Sequence, residues 1–85
     1  MAGQLPRFQG SPLDEIKRAI ESSIPNSSAV VSGEGGHFSV EVVAPAFAGK
    51  SMLEAHRMVY AALTPLMQDA GGPVHAIDSL RTHKA

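Results

Sequence analysis

Leu13, Ile16, Ile20 and Ile24 recur at helical spacing, while Lys17, Arg18 and Glu21 fall between them. The pattern predicts an amphipathic helix with one face committed to a core. Ser11 precedes it and can cap free N–H groups. Pro12 suits the first helical position because its missing N–H has no partner to lose there. Asp14 and Glu15 lie at the positive end of the helix dipole, and Pro25-Asn26 closes the segment.

The period then changes. Ala29-Val30-Val31-Ser32 is a short β-prone run. Beyond Gly33-Glu34-Gly35-Gly36, apolar Phe38, Val40 and Val42 alternate with His37, Ser39 and Glu41, the period of a half-buried strand. Two strands around a glycine-rich loop predict an antiparallel hairpin. Residues 44–49 break the strand, and Ser51-Met52-Leu53-Glu54 has the form of a capping box. Met52, Ala55, Val59, Ala62, Leu63 and Leu66 predict the buried face of a second helix reaching Gln68, with Pro65 distorting or ending its last turn. After Gly71-Gly72-Pro73, Val74-His75-Ala76-Ile77 reads as a third strand.

The predicted order is α-β-β-α-β. A third strand that returns after a helical crossover should lie parallel to the second. The expected fold is therefore α+β, a three-stranded mixed sheet with both helices on one face. Eighty-five residues make a single domain, placed at residues 11–80. A flexible tail is expected at 1–10 and a polar tail at 81–85. A chain this short buries about 60–65% of its unfolded surface, which predicts marginal stability.

Composition narrows the function. Seven Lys plus Arg against eight Asp plus Glu give a net charge of -1, which excludes the strongly basic balance of unspecific nucleic-acid or membrane binders. With no cysteine, the chain has no disulfide, thiolate zinc site or thiol redox centre of its own. No apolar run approaches the roughly 18 residues of a membrane span, and no signal peptide is visible. A reducing, cytoplasmic location is expected, or mitochondrial or plastid in a eukaryotic source.

Most motifs have a plain structural explanation. Gly49-Lys50-Ser51 resembles the end of a phosphate loop, but Ala44 stands where the first glycine belongs, and Ser51 is accounted for as a helix cap. Gly33-Glu34-Gly35-Gly36 has the spacing of a KH-domain nucleotide clamp, which joins two helices, whereas here the run joins strands and carries an acidic residue. No glycine-flanked serine elbow or enforced carboxylate pair argues for catalysis. Of the four histidines, His56 reads as a solvated side chain beside Arg57, and His83 falls in the expected tail. His37 shares the polar face of its strand with Ser39 and Glu41. His75 interrupts an apolar strand after a Gly-Gly-Pro break. The bland reading of either is a surface imidazole. Together they form no sequence-local metal motif, and two imidazoles are half of a four-ligand site, meaningful if a partner completes it.

The run His37-Phe38-Ser39-Val40-Glu41-Val42-Val43, the Phe47-x-Gly49-Lys50-Ser51 turn, the His56-Arg57-x-Val59-Tyr60 stretch and Val74-His75-Ala76-Ile77 together resemble the BolA family, in its order and spacing, over residues 12–80. The short Val-Ser-Gly-Glu-Gly-Gly-His-Phe hairpin is most similar to the bacterial acid-stress branch. The resemblance implies a class II KH-like fold of the order already derived. It also implies a non-enzymatic partner of a monothiol glutaredoxin, monomeric alone and heterodimeric in the complex. The pair would share a bridging [2Fe–2S] cluster in iron–sulfur trafficking or iron regulation. Glutaredoxin and glutathione would supply thiolates. The family's C-terminal histidine ligand corresponds to His75, and its variable-loop ligand to His37. Histidine in place of thiolate on one iron is established chemistry, and it raises the reduction potential. Many relatives continue into a C-terminal helix after the third strand, whereas this sequence stops at Ala85.

The family resemblance also carries a competing reading, a KH-like DNA-binding transcriptional regulator in stress response. Lys50, Arg57, Arg81 and Lys84 would then supply phosphate contacts, provided they cluster. A third reading, docking on glutaredoxin with no cluster, is compatible with the same residues.

Overall fold

The computed structural model describes residues 11–85, so the tail expected at 1–10 lies outside the described residues. Helix α1 spans Pro12–Ser23. The Ser11 hydroxyl accepts from the Asp14 N–H at 3.3 Å. Ile16 and Ile20 are wholly buried, and Ile24 follows them into the core from the C-cap position.

Strands β1 (Ser28–Glu34) and β2 (His37–Val43) pair antiparallel, with Glu34 opposite His37. The connection is therefore the two residues Gly35-Gly36, whose φ angles are 64° and 84°. Positive φ at both positions is what the twist-matched two-residue hairpin turn demands, and glycine meets it without a Cβ penalty. Half of the glycine-rich run is thus strand, since Gly33 and Glu34 extend β1 beyond the expected Ser32.

Helix α2 spans Met52–Leu63 and begins with the complete capping box. Ser51 Oγ accepts from the Glu54 N–H at 3.1 Å, and the Glu54 carboxylate accepts from the Ser51 N–H at 2.9 Å. The helix stops short of Gln68. Pro65 has no N–H for the helical ladder, and the chain continues as 3-10 turns over Thr64–Leu66 and Gln68–Ala70. The buried stripe of α2 is Ala55, Val59, Ala62 and Leu63. Met52, expected on that face, is 73% exposed and lines a surface groove instead.

Strand β3 spans Ala76–His83, longer and later than the expected Val74–Ile77. It pairs parallel with β2, giving the sheet order β1-β2-β3. Residues 81–83, expected in a polar tail, are strand. The reason is an irregularity: Phe38 pairs with Ile77 but Ser39 pairs with Ser79, leaving Asp78 as an extra residue. Ile77 and Leu80 are each partly buried against the core although three positions apart, so strict alternation fails across the bulge. Val74 instead is wholly buried in an isolated bridge to Met67.

Both helices contribute to one core with the sheet. Ile16 and Ile20 from α1 and Val59 and Leu63 from α2 are buried with Phe38, Val40 and Val42 of β2. Side chains on the opposite side of the sheet are open, with Val30 67% exposed and Glu41 exposed beside it.

Candidate functional site

His37 is the first residue of β2, fixed in register between Glu34 on β1 and Ala76 on β3. His75 immediately precedes β3. Its N–H donates to the Gly36 carbonyl at 2.8 Å, and the Ala76 N–H donates to the same oxygen at 2.9 Å. The hairpin turn and the start of β3 are thereby tied together by backbone. Two histidines 38 positions apart in sequence meet as a result, with ring centroids 5.2 Å apart and planes inclined at 66°.

Each ring is held at Nδ1. His37 Nδ1 lies 3.1 Å from Asp78 Oδ1, and His75 Nδ1 lies 2.5 Å from Gln68 Oε1. Asp78 is the extra residue of the β3 bulge, and the bulge brings its carboxylate to His37. Gln68 reaches His75 because the intervening loop is closed on itself. The Gln68 N–H donates to the Val74 carbonyl at 2.7 Å, and the Val74 N–H to the Leu66 carbonyl at 2.9 Å. The His37 side chain is half exposed, at 51%, and His75 is exposed too.

The donor set fits part of a metal shell. Two imidazoles on one tetrahedral ion, each bonded through nitrogen at about 2.0–2.1 Å, have ring centres roughly 5 Å apart. Among the described residues, no group of three or more His, Cys, Asp or Glu side chains gathers to hold a metal ion. His37 and His75 are therefore a pair and not a complete site.

A second constellation lies at the other end of β3. A groove of about 520 Å³ runs between the start of α2 and the end of the sheet, lined by Lys50, His56, Arg81, His83 and Lys84 with apolar Phe47, Met52 and Leu80. Three of the four cations singled out from sequence line it. Arg57 does not. His83, expected in a tail without a role, accordingly sits in strand, with its Nε2 2.8 Å from the Glu41 carboxylate across the sheet.

Asp78 and Gln68 carry no local signal. Asp78 reads as an ordinary polar residue, and only the bulge gives it a histidine to contact. Gln68 is seven residues before His75, and the fold of the loop between them is not written in any periodicity. Two consecutive polar residues between Ile77 and Leu80 are the one hint that alternation fails there.

The family model for BolA-like protein matches residues 15–84. The chain belongs to the BolA-like family. Human BolA-like protein 1 is 49% identical over 49 residues, covering 58% of this chain and 34% of the human protein. The chain thus aligns with about a third of the length of that curated relative. Among solved structures, a bolA protein homologue from Coxiella burnetii superposes with a TM-score of 0.70 at 38% identity, over 84% of this chain and 87% of that one. BolA1 from Arabidopsis thaliana shares the fold at 19% identity, with a TM-score of 0.69 over 88% of this chain and 93% of that one. The BolA-like match extends past residue 80 to Lys84, in line with the full length of β3.

Proposed function

We propose that this BolA-like chain is a non-enzymatic partner of a monothiol glutaredoxin and contributes His75 and His37 to a shared [2Fe–2S] cluster in iron–sulfur trafficking or iron regulation. The observation that carries the reading is the 5.2 Å apposition of two surface imidazoles, one at the head of β2 and one just before β3. Two neutral imidazoles complete half a ligand shell, and the thiolates of glutaredoxin and glutathione complete the rest. When bound, the cluster supplies one-electron redox chemistry and transferable iron and sulfide. This chain's residues hold and orient it: His75 through a backbone anchored on Gly36, His37 through its place at the head of β2.

The test is reconstitution with a monothiol glutaredoxin, glutathione, iron and sulfide, followed by visible circular dichroism and size-exclusion chromatography. A 1:1 complex whose spectrum differs from that of the glutaredoxin homodimer is expected. His75→Ala should abolish that spectrum while far-UV dichroism stays native, and His37→Ala should weaken it less. An unchanged spectrum in His75→Ala removes His75 from the ligand set, and a complex without a changed cluster leaves docking alone.

One observation favours a second reading, binding of DNA. Lys50, Arg81 and Lys84 line a single groove, giving a local basic surface that the net charge of -1 conceals. Phosphate contacts there would be electrostatic and independent of base sequence.

A further inference from the structure

We propose that Asp78 and Gln68 are positioning residues that hold His37 and His75 in the Nδ1–H tautomer, which leaves Nε2 as the electron-pair donor of each ring. An imidazole in water without a partner favours the opposite tautomer, with the proton on Nε2. Which nitrogen is free to bind a metal is decided by what the other nitrogen bonds. Asp78 is a carboxylate and only accepts, so at 3.1 Å His37 Nδ1 must carry the hydrogen. The carbonyl oxygen of the Gln68 amide likewise accepts from His75 Nδ1. The same arrangement therefore occurs twice, on two rings 5.2 Å apart, through two side chains of different chemistry and different elements.

A ligating histidine whose second nitrogen donates to a carboxylate or carbonyl has its tautomer and ring plane fixed and its basicity raised. Here the fold itself assembles that support. The β3 bulge delivers Asp78, and the closed loop before Val74 delivers Gln68. The purpose assigned to the tautomers rests on the cluster reading. The tautomers themselves do not, and they can be measured on the chain alone.

The experiment has two arms. Long-range nitrogen–proton correlation spectra of the uniformly labelled chain, taken where imidazole is neutral, report which nitrogen of each ring is protonated. Both rings should show the Nδ1–H pattern. Asp78→Ala should return His37, and Gln68→Ala should return His75, to the Nε2–H form, while Gln68→Glu keeps an acceptor and the native pattern. A wild-type chain with either ring in the Nε2–H form overturns the proposal for that ring and leaves the cluster reading untouched.

The second arm uses the complex with glutaredoxin, challenged with a chelator. Asp78→Ala and Gln68→Ala should each speed cluster loss about 10- to 100-fold, the usual scale for losing such a support, with Gln68→Glu near wild type. Wild-type loss rates in both alanine variants overturn the positioning role. Native tautomers in a chain that forms no cluster-bearing complex with glutaredoxin would count against the cluster function instead, and would strip the pair of the metal-positioning role proposed here.

Discussion

Glu21 shows how one surface side chain can finish the work of two elements. Its carboxylate accepts from Lys17 Nζ at 2.7 Å and from the Ala29 N–H at 2.9 Å, while the same Lys17 Nζ donates to the Ala29 carbonyl at 2.8 Å. Ala29 lies in the edge strand β1, so its outward N–H and C=O would otherwise invite another strand. Expected from sequence simply to face away from the core, Lys17 and Glu21 instead close the sheet's edge against α1. The Lys17 hydrogen bond, followed by that from the Ala29 N–H, holds the Glu21 carboxyl below its ordinary value. A carboxyl with a lowered folded-state pKa stabilises the fold above its unfolded pKa, and that contribution is lost as pH falls through the folded value. Glu21→Gln should therefore lower the urea midpoint at neutral pH, yet lose less of it than the wild type on acidification. Equal losses in the two proteins would show that the contact does not contribute to acid sensitivity. The residue types in this network are plain in the sequence. Their partner is not, because Ala29 takes part only through its backbone.

At the scale of elements, legibility followed regularity. Helix α1, strand β2 and the capping box of α2 each have an unbroken period and a local start signal, and all three were readable. Strand β3 was misplaced because the extra residue Asp78 puts Ile77 and Leu80 on one side at a spacing of three. The same bulge hid the support of His37. His37 and His75 were legible as residues, but their meeting depends on the hairpin turn: the Gly36 carbonyl accepts from both His75 and Ala76. A Cβ on Gly36 would lie 2.9 Å from the His75 Cβ, whereas one on Gly35 would meet nothing within 4 Å. Both positions have positive φ, so alanine at either is strained, at about 1–2 kcal/mol for the backbone alone. Gly36→Ala should cost more than Gly35→Ala in urea denaturation, and only Gly36→Ala should shift the ring resonances of His75 and His37. Matching costs and unmoved rings would show that the turn does not set the histidine pair.

On the scale of the whole molecule, the two candidate sites occupy opposite ends of one strand. His75 stands just before β3, and Arg81 and Lys84 lie at and beyond its far end. Six residues of parallel strand advance the chain roughly 20 Å, about two Debye lengths at 0.1 M salt. Substitutions that far apart with no shared partner are expected to act independently. The cluster reading and the DNA reading are then separable on one protein, and neither excludes the other by geometry. Each phosphate neutralised in a duplex should add about -0.9 to the slope of log affinity against log salt. If the groove binds DNA, Lys50→Ala, Arg81→Ala and Lys84→Ala should each flatten that slope by up to this amount. Arg57→Ala, outside the groove, and His75→Ala, at the other end of β3, should leave it unchanged. Fluorescence anisotropy on a labelled duplex across a salt series measures all five. A slope that Arg57→Ala flattens as much as Lys50→Ala would move any DNA contact off the groove, and a wild-type protein without measurable salt-dependent binding would retire the DNA reading while the histidine pair stands on its own test.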